Sequence, residues 1–194
     1  MPNAPLPVTH YQNYLTSFMV KTTINTNRVR QGAESMTSLF NPDKFMSEQL
    51  TICSEDYSLL TDLYQLTMAA CYRGENVHQK RACFEVFARR LPEGFGYAIA
   101  MGLEQVLEYL ENFRFSNNRI KALQETGIFA SAPGEFWSLL ESGKFTGDVW
   151  AVPEGTAVFA LEPLVRIEAP LWQAQLVETY LLNTLNYQTL IATR

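Results

Sequence analysis

Tyr64, Arg89, Arg90 and Glu154 are the residues on which chemistry could be built. Tyr64 falls in the first turn of a predicted helix, beside backbone N–H groups that have no partner inside the helix. A flat aromatic ring there can stack on a planar ligand. A tyrosine buried in a core or an interface explains the same residue, and on spacing alone it is the simpler account. Arg89 and Arg90 close a predicted strand next to a turn. A guanidinium in that place can clamp phosphate or carboxylate through two parallel hydrogen bonds. An ordinary charged strand end is the competing account. Glu154 lies in Pro153-Glu154-Gly155 and reads as a turn residue.

No complete catalytic set emerges from spacing. A phosphate-cradling glycine loop is missing, as is a Gly-x-Ser-x-Gly elbow. Glu104, Glu108 and Glu111 read as a solvated helix face. The two histidines, His10 and His78, have no metal-ligand spacing. Cys53, Cys71 and Cys83 are odd in number and form no Cys-x-x-Cys pair, which fits a reducing compartment better than a disulfide framework. A net charge of −5 and a pI near 5.1 give no basic footprint for nucleic acid. No apolar run of about 18 residues exists to cross a membrane.

The elements that must position these residues are easier to read. Asp62 can cap a helix, with Gln65 three residues on to complete a capping box. Leu63, Leu66, Thr67 and Ala70 then share a face, and Gly74 supplies a stop. Residues 81–90 alternate, with Ala82, Phe84, Val86 and Ala88 on one side, so they predict a half-buried strand. Leu91-Pro92-Glu93-Gly94 turns the chain. Gly102 opens a second helix whose stripe is Leu103, Val106, Leu107, Leu110 and Phe113. A third helix begins at Ser116 or Asn117, and a fourth spans about Pro133 to Glu141. Strands are expected over Phe145–Val152, Ala157–Leu161 and Leu164–Ala169. A final helix starts at about Leu171. Its apolar residues lie on nearly every face, so it should be buried, and its Gln, Asn and Glu residues argue against a membrane span. The pattern is an α+β domain.

Residues 1–50 differ in composition from the remainder of the chain. They are rich in Ser, Thr, Asn and Gln, and hold four basic against three acidic residues. A disordered leader is the expectation, with a transit peptide, or a true start at Met36 or Met46, as alternatives. The division expected is therefore a leader at 1–50, an α+β domain at 51–170, and a helix at 171–194 leading into further structure. Charged residues are 18% of the chain against about 25% in ordinary domains, which fits a surface covered by something else or simple scatter.

Leu60-Thr61-Asp62-Leu63-Tyr64-Gln65-Leu66-Thr67-Met68 resembles the opening motif of nicotinate phosphoribosyltransferases. Phe84-Glu85-Val86-Phe87 with Arg89-Arg90-Leu91-Pro92 looks like that family's next strand. Tyr97 to Gly102-Leu103, Pro153-Glu154-Gly155, Glu162-Pro163-Leu164-Val165, Gln175-Leu176-Val177-Glu178-Thr179 and Asn183 to Thr193 match the family in order and spacing. The resemblance covers roughly Asp56 to Arg194.

The resemblance implies an enzyme that joins nicotinate to 5-phosphoribosyl 1-diphosphate, giving nicotinate mononucleotide and diphosphate. It implies Mg²⁺, ATP hydrolysis through a phosphorylated histidine, a cytoplasmic location and a homodimer with active sites at the subunit interface. The implied fold is the α+β amino-terminal domain of a type II phosphoribosyltransferase, truncated before an irregular α/β barrel. Tyr64 matches the tyrosine that stacks on nicotinate in a neighbouring subunit's site. Arg89 or Arg90 would approach the phosphoribosyl diphosphate, and Asp62 would cap its helix. The barrel, the phosphorylated histidine, the second ring-contacting aromatic and most phosphate ligands fall beyond Arg194. His10 and His78 match none of them, Arg194 stands where the family has lysine or asparagine, and the leader is atypical. The resemblance thus implies no catalytic residue within this chain, no turnover by the chain alone, and apolar surface left on the last helix. A non-catalytic dimerisation module, the remnant of a broken gene, and a related nicotinamide or quinolinate transferase are the alternatives.

Overall fold

The computed structural model describes the backbone of residues 20–22 and the whole of residues 52–194. The remainder of the expected leader lies outside the described residues. Val20–Thr22 form a short strand, β1. A 3-10 turn at Ser54–Leu59 precedes helix α1 at Leu63–Gly74. Strands β2 at Arg81–Phe87 and β3 at Ala98–Ile99 lead to helices α2 at Leu103–Asn112, α3 at Asn117–Glu125 and α4 at Gly134–Glu141. Strands β4 at Asp148–Ala151, β5 at Ala157–Val158 and β6 at Pro163–Pro170 are followed by the long helix α5 at Leu171–Thr193.

The four-stranded sheet has the order β1-β4-β6-β2, with every pairing antiparallel. β2 meets β6 in the register Phe84↔Ile167 and Glu85↔Arg166. The expected alternation holds: Ala82, Phe84 and Val86 turn inward, while Arg81, Cys83, Glu85 and Phe87 face solvent. On the same inner face stand Val149, Ala151, Ile167 and Ala169, all buried. The prolines bounding β6 sit at its first and last residues, where a missing N–H does least harm to a central strand. β3 and β5 make a separate two-stranded sheet, with Ala98 opposite Val158.

Three strands are shorter than the sequence predicts: β2, which ends at Phe87 and not at residue 90, and β4 and β5. β5 stops at Val158 because the Glu162 carboxylate accepts from the Phe159 N–H at 2.8 Å and Leu161 takes a left-handed conformation with φ 69°. β4 begins only at Asp148, since Gly147 is pressed against β6. A Cβ on Gly147 would stand 2.6 Å from that of Ala169, so only glycine fits there.

Helix α5 is the spine of the core and is integral to the domain. It packs on α1, α2, β2, β3 and β6. From Trp172 to Val177 every residue is buried. Beyond that only the line Leu181, Leu185 and Thr189 stays inside, so burial on all faces holds for the first turns alone. Tyr187 and Ile191, one turn apart on the outward side, remain more than half exposed. Tyr109 of α2 stacks on Tyr180 of α5 with ring centroids 3.9 Å apart, fixing the two helices together.

Candidate functional site

Asp62 is extended at the head of α1, with φ −89° and ψ 149°, and forms the expected capping box with Gln65. The Asp62 N–H donates to Gln65 Oε1 at 3.3 Å. Gln65 is more than a cap. It is fully buried, and α5 closes over it. The Thr179 hydroxyl lies 2.8 Å from Gln65 Oε1 and 2.8 Å from Asp62 Oδ2. Gln65 Nε2 donates to Glu178 Oε2 at 3.3 Å, and Gln175 Nε2 donates to the same oxygen at 3.0 Å. Thr61 contacts Gln65 Oε1 and donates to the Leu176 carbonyl at 3.0 Å. Tyr72 adds a hydrogen bond to Gln175 Oε1 at 3.2 Å. The head of α1 is therefore bolted to the first half of α5.

Tyr64 stands on that bolted turn and is half exposed. The alternative of a core tyrosine does not describe it. Its hydroxyl receives a long hydrogen bond from Gln65 Nε2 at 3.4 Å. A ring on a fixed backbone, open on one side, can stack on a planar ligand without first being ordered.

Arg89 and Arg90 lie after β2, just past the irregularity in its pairing at Val86/Phe87, and both are exposed. Neither guanidinium is paired with a carboxylate among the described residues. Arg90, unlike Arg89, lines a cleft of about 320 Å³ together with Leu91, Pro92, Phe95, Leu185 and Asn186. Tyr64 is not part of that cleft. Its turn is anchored at Thr179, whereas the cleft runs along α5 from Leu185 to Thr193. At 1.5 Å per residue the two lie roughly 9–21 Å apart along the helix.

Glu154 does more than the turn expected of it. Its carboxylate accepts from the Gly102 N–H at 2.9 Å and the Glu104 N–H at 3.3 Å, capping α2. Gly102 takes φ 102°, and a Cβ there would press on Gln188 and the Thr184 carbonyl of α5. His78 is partly buried. Burial, and after it the charge of Arg73, hold its imidazole below the usual histidine value. Its carbonyl accepts from the Trp172 N–H at 3.3 Å, a structural role at the start of α5.

Among the described residues no three His, Cys, Asp or Glu side chains converge as metal ligands. The three cysteines are free and exposed. Among the described residues no helix is long and apolar enough to cross a membrane.

Thr61, Glu178 and Thr179, and the second role of Gln65, were not expected as parts of the Tyr64 site. A signal existed: Gln175, Glu178 and Thr179 are polar residues in a helix whose other residues demand burial. Buried polar groups need partners, and here the partner is the head of α1.

The antiparallel sheet, the helices flanking it and α5 at its back form the amino-terminal α+β domain of a type II phosphoribosyltransferase. Residues 59–186 match the family model for the nicotinate phosphoribosyltransferase N-terminal domain. A nicotinate phosphoribosyltransferase of Bacillus subtilis is 48% identical over 140 residues, covering 72% of this chain and 28% of that protein. One from Mycobacterium tuberculosis is 45% identical over 137 residues, covering 71% and 29%. The crystal structure of human nicotinic acid phosphoribosyltransferase aligns with a TM-score of 0.64 at 35% identity, covering 69% of this chain and 27% of that one. The chain belongs to the nicotinate phosphoribosyltransferase family. It spans less than a third of the length of these relatives.

Proposed function

We propose that this domain serves ATP-driven transfer of a phosphoribosyl group from 5-phosphoribosyl 1-diphosphate to nicotinate, with Tyr64 as the face on which the pyridine ring stacks. The observation that carries the reading is the half-exposed Tyr64 ring on a turn whose neighbour Gln65 is fully buried and tied to α5. Arg90, which lines the cleft, is the arginine we assign to phosphate, and Arg89 is the weaker candidate. In line with the family resemblance, Tyr64 is assigned to a site completed by a second copy in a homodimer. Mg²⁺, ATP and the phosphoryl-accepting histidine are assigned to residues other than those described here. The free cysteines favour a reducing, cytoplasmic setting.

Two measurements test this. The purified 194-residue chain, given nicotinate, 5-phosphoribosyl 1-diphosphate, Mg²⁺ and ATP, should form no nicotinate mononucleotide; ATP-stimulated product would overturn that part. Next, residues 59–186 of this chain replace the matching segment of the Bacillus subtilis relative, giving an active chimera. In it Tyr64→Ala should raise the KM for nicotinate about three- to tenfold, the worth of one stacking contact, while Tyr64→Phe changes it little. An unchanged KM in Tyr64→Ala would remove Tyr64 from the site.

A further inference from the structure

The geometry points to Gln65 as the positioning residue of Tyr64, held in one orientation by Thr179 and Glu178 of α5. The inference rests on the reading of Tyr64 as the ring-stacking residue, and adds to it the device that sets the ring.

Gln65 is a fully buried polar side chain beside an exposed aromatic at the head of α1. Its carboxamide has two chemically different ends, and its surroundings tell them apart. On the oxygen side is the Asp62 N–H at 3.3 Å, which can only donate. On the nitrogen side is the Glu178 carboxylate at 3.3 Å, which when ionised can only accept. A flipped amide would aim N–H at N–H and oxygen at carboxylate, so a single orientation is allowed. In that orientation Nε2 has a second proton to give, and the Tyr64 hydroxyl stands 3.4 Å away to receive it.

The lock lies 114 residues further along the chain. The Thr179 hydroxyl lies 2.8 Å from Gln65 Oε1 and 2.8 Å from Asp62 Oδ2 and shares its one proton between them. Glu178 is itself fixed by Gln175 Nε2 at 3.0 Å, and Gln175 by the Tyr72 hydroxyl at 3.2 Å. The chain of contacts runs from the body of α1, through α5, back to the head of α1, and ends on the exposed ring. A capping glutamine needs only its backbone neighbours. One that is also clamped from a second helix, and spends a donor on the adjacent tyrosine, fixes the direction in which that tyrosine faces.

The test labels Tyr64 with 3-fluorotyrosine in the 194-residue chain, with Tyr187 labelled separately as an exposed reference. Thr179→Val removes the hydroxyl at constant shape, Thr179→Ser retains it, and Glu178→Ala frees Nε2 from the other side. In Thr179→Val and Glu178→Ala the Tyr64 fluorine resonance should move toward, and sharpen like, that of Tyr187, while Thr179→Ser keeps the native signal. A Tyr64 resonance unchanged in both, with the chain folded by circular dichroism, would overturn the positioning role. In the active chimera Thr179→Val should raise the KM for nicotinate about threefold with kcat nearly unchanged, and Thr179→Ser should restore it. If the resonance responds but Tyr64→Ala leaves that KM alone, the positioning of the ring stands and the stacking role of Tyr64 fails.

Discussion

Replacing Glu154 by alanine separates a helix cap from a turn residue. The Glu154 carboxylate accepts two N–H groups at the start of α2, from Gly102 at 2.9 Å and Glu104 at 3.3 Å. These donors have no partner inside the helix. Losing a side-chain cap costs about 1 kcal/mol, within a range of roughly 0.5–2. A negative charge at a helix N-terminus contributes a further 0.3–1 kcal/mol or so at an exposed site. Together they give about 1–2 kcal/mol. In a domain of this size that is a drop in Tm of roughly 2–8 °C. The turn itself keeps its backbone pins, Gly155 N–H to the Ala100 carbonyl at 2.8 Å and Ala100 N–H to the Thr156 carbonyl at 2.9 Å, so its shape should survive the change. Glu154→Gln keeps an oxygen acceptor and loses only the charge, so it should fall by the dipole share alone, about 1–3 °C. Thermal melts followed by circular dichroism measure both. Amide exchange at Gly102 and Glu104 should quicken in Glu154→Ala. A Tm unchanged in Glu154→Ala would refute the cap, because alanine at a merely exposed turn position costs almost nothing. A Tm unchanged in Glu154→Gln would refute the role of charge.

Glu168 carries a pH dependence. A hydrogen bond from Arg81 is the main cause that holds its carboxyl below the usual carboxylate value, with the charge of Arg166 assisting. A depressed folded value means stability present above the unfolded carboxylate range, near about 4.3, and lost as pH falls through the lower folded value. Glu168→Gln should therefore melt about 2 °C below the native chain at about pH 7, and the gap should close as pH is lowered past about 4; a gap that persists at about pH 2 would refute the pairing. The outward residues Tyr187 and Ile191 of α5 should make the 194-residue chain self-associate at high concentration. Sedimentation should show that association, and Tyr187→Lys with Ile191→Lys should abolish it; a monodisperse native monomer would refute the role of this face.

Local features of the fold were legible because their causes are local. The capping box at Asp62 and Gln65, the stripe of α2 and the alternation of β2 need only neighbouring residues. The order of the sheet was not legible, since Phe84 opposite Ile167 is a contact between distant parts of the chain that no period records. β3 is two residues long and carries no pattern at all. The end of β5 was misread because Ala157 to Leu161 is apolar throughout, while the hydrogen bond that stops it comes from the side chain of Glu162.

The site shows the same boundary between local and distant causes. Spacing puts Tyr64 and Gln65 side by side in one turn, and cannot say that one is half exposed and the other fully buried. That difference is made by α5. The clue lay in α5 itself, where Gln173, Gln175 and Thr189 occupy positions that the helix buries. Each buried polar group found a partner elsewhere in the chain: Thr146 for Gln173, Tyr72 for Gln175, Met101 for Thr189. The cost of burying an unpaired polar group favours such partners. A polar residue where helical period demands burial therefore predicts a tertiary anchor, even when its partner is unknown. Glu178 and Thr179 stand at the rim of that buried stretch, and the anchor they form is the one that sets Tyr64.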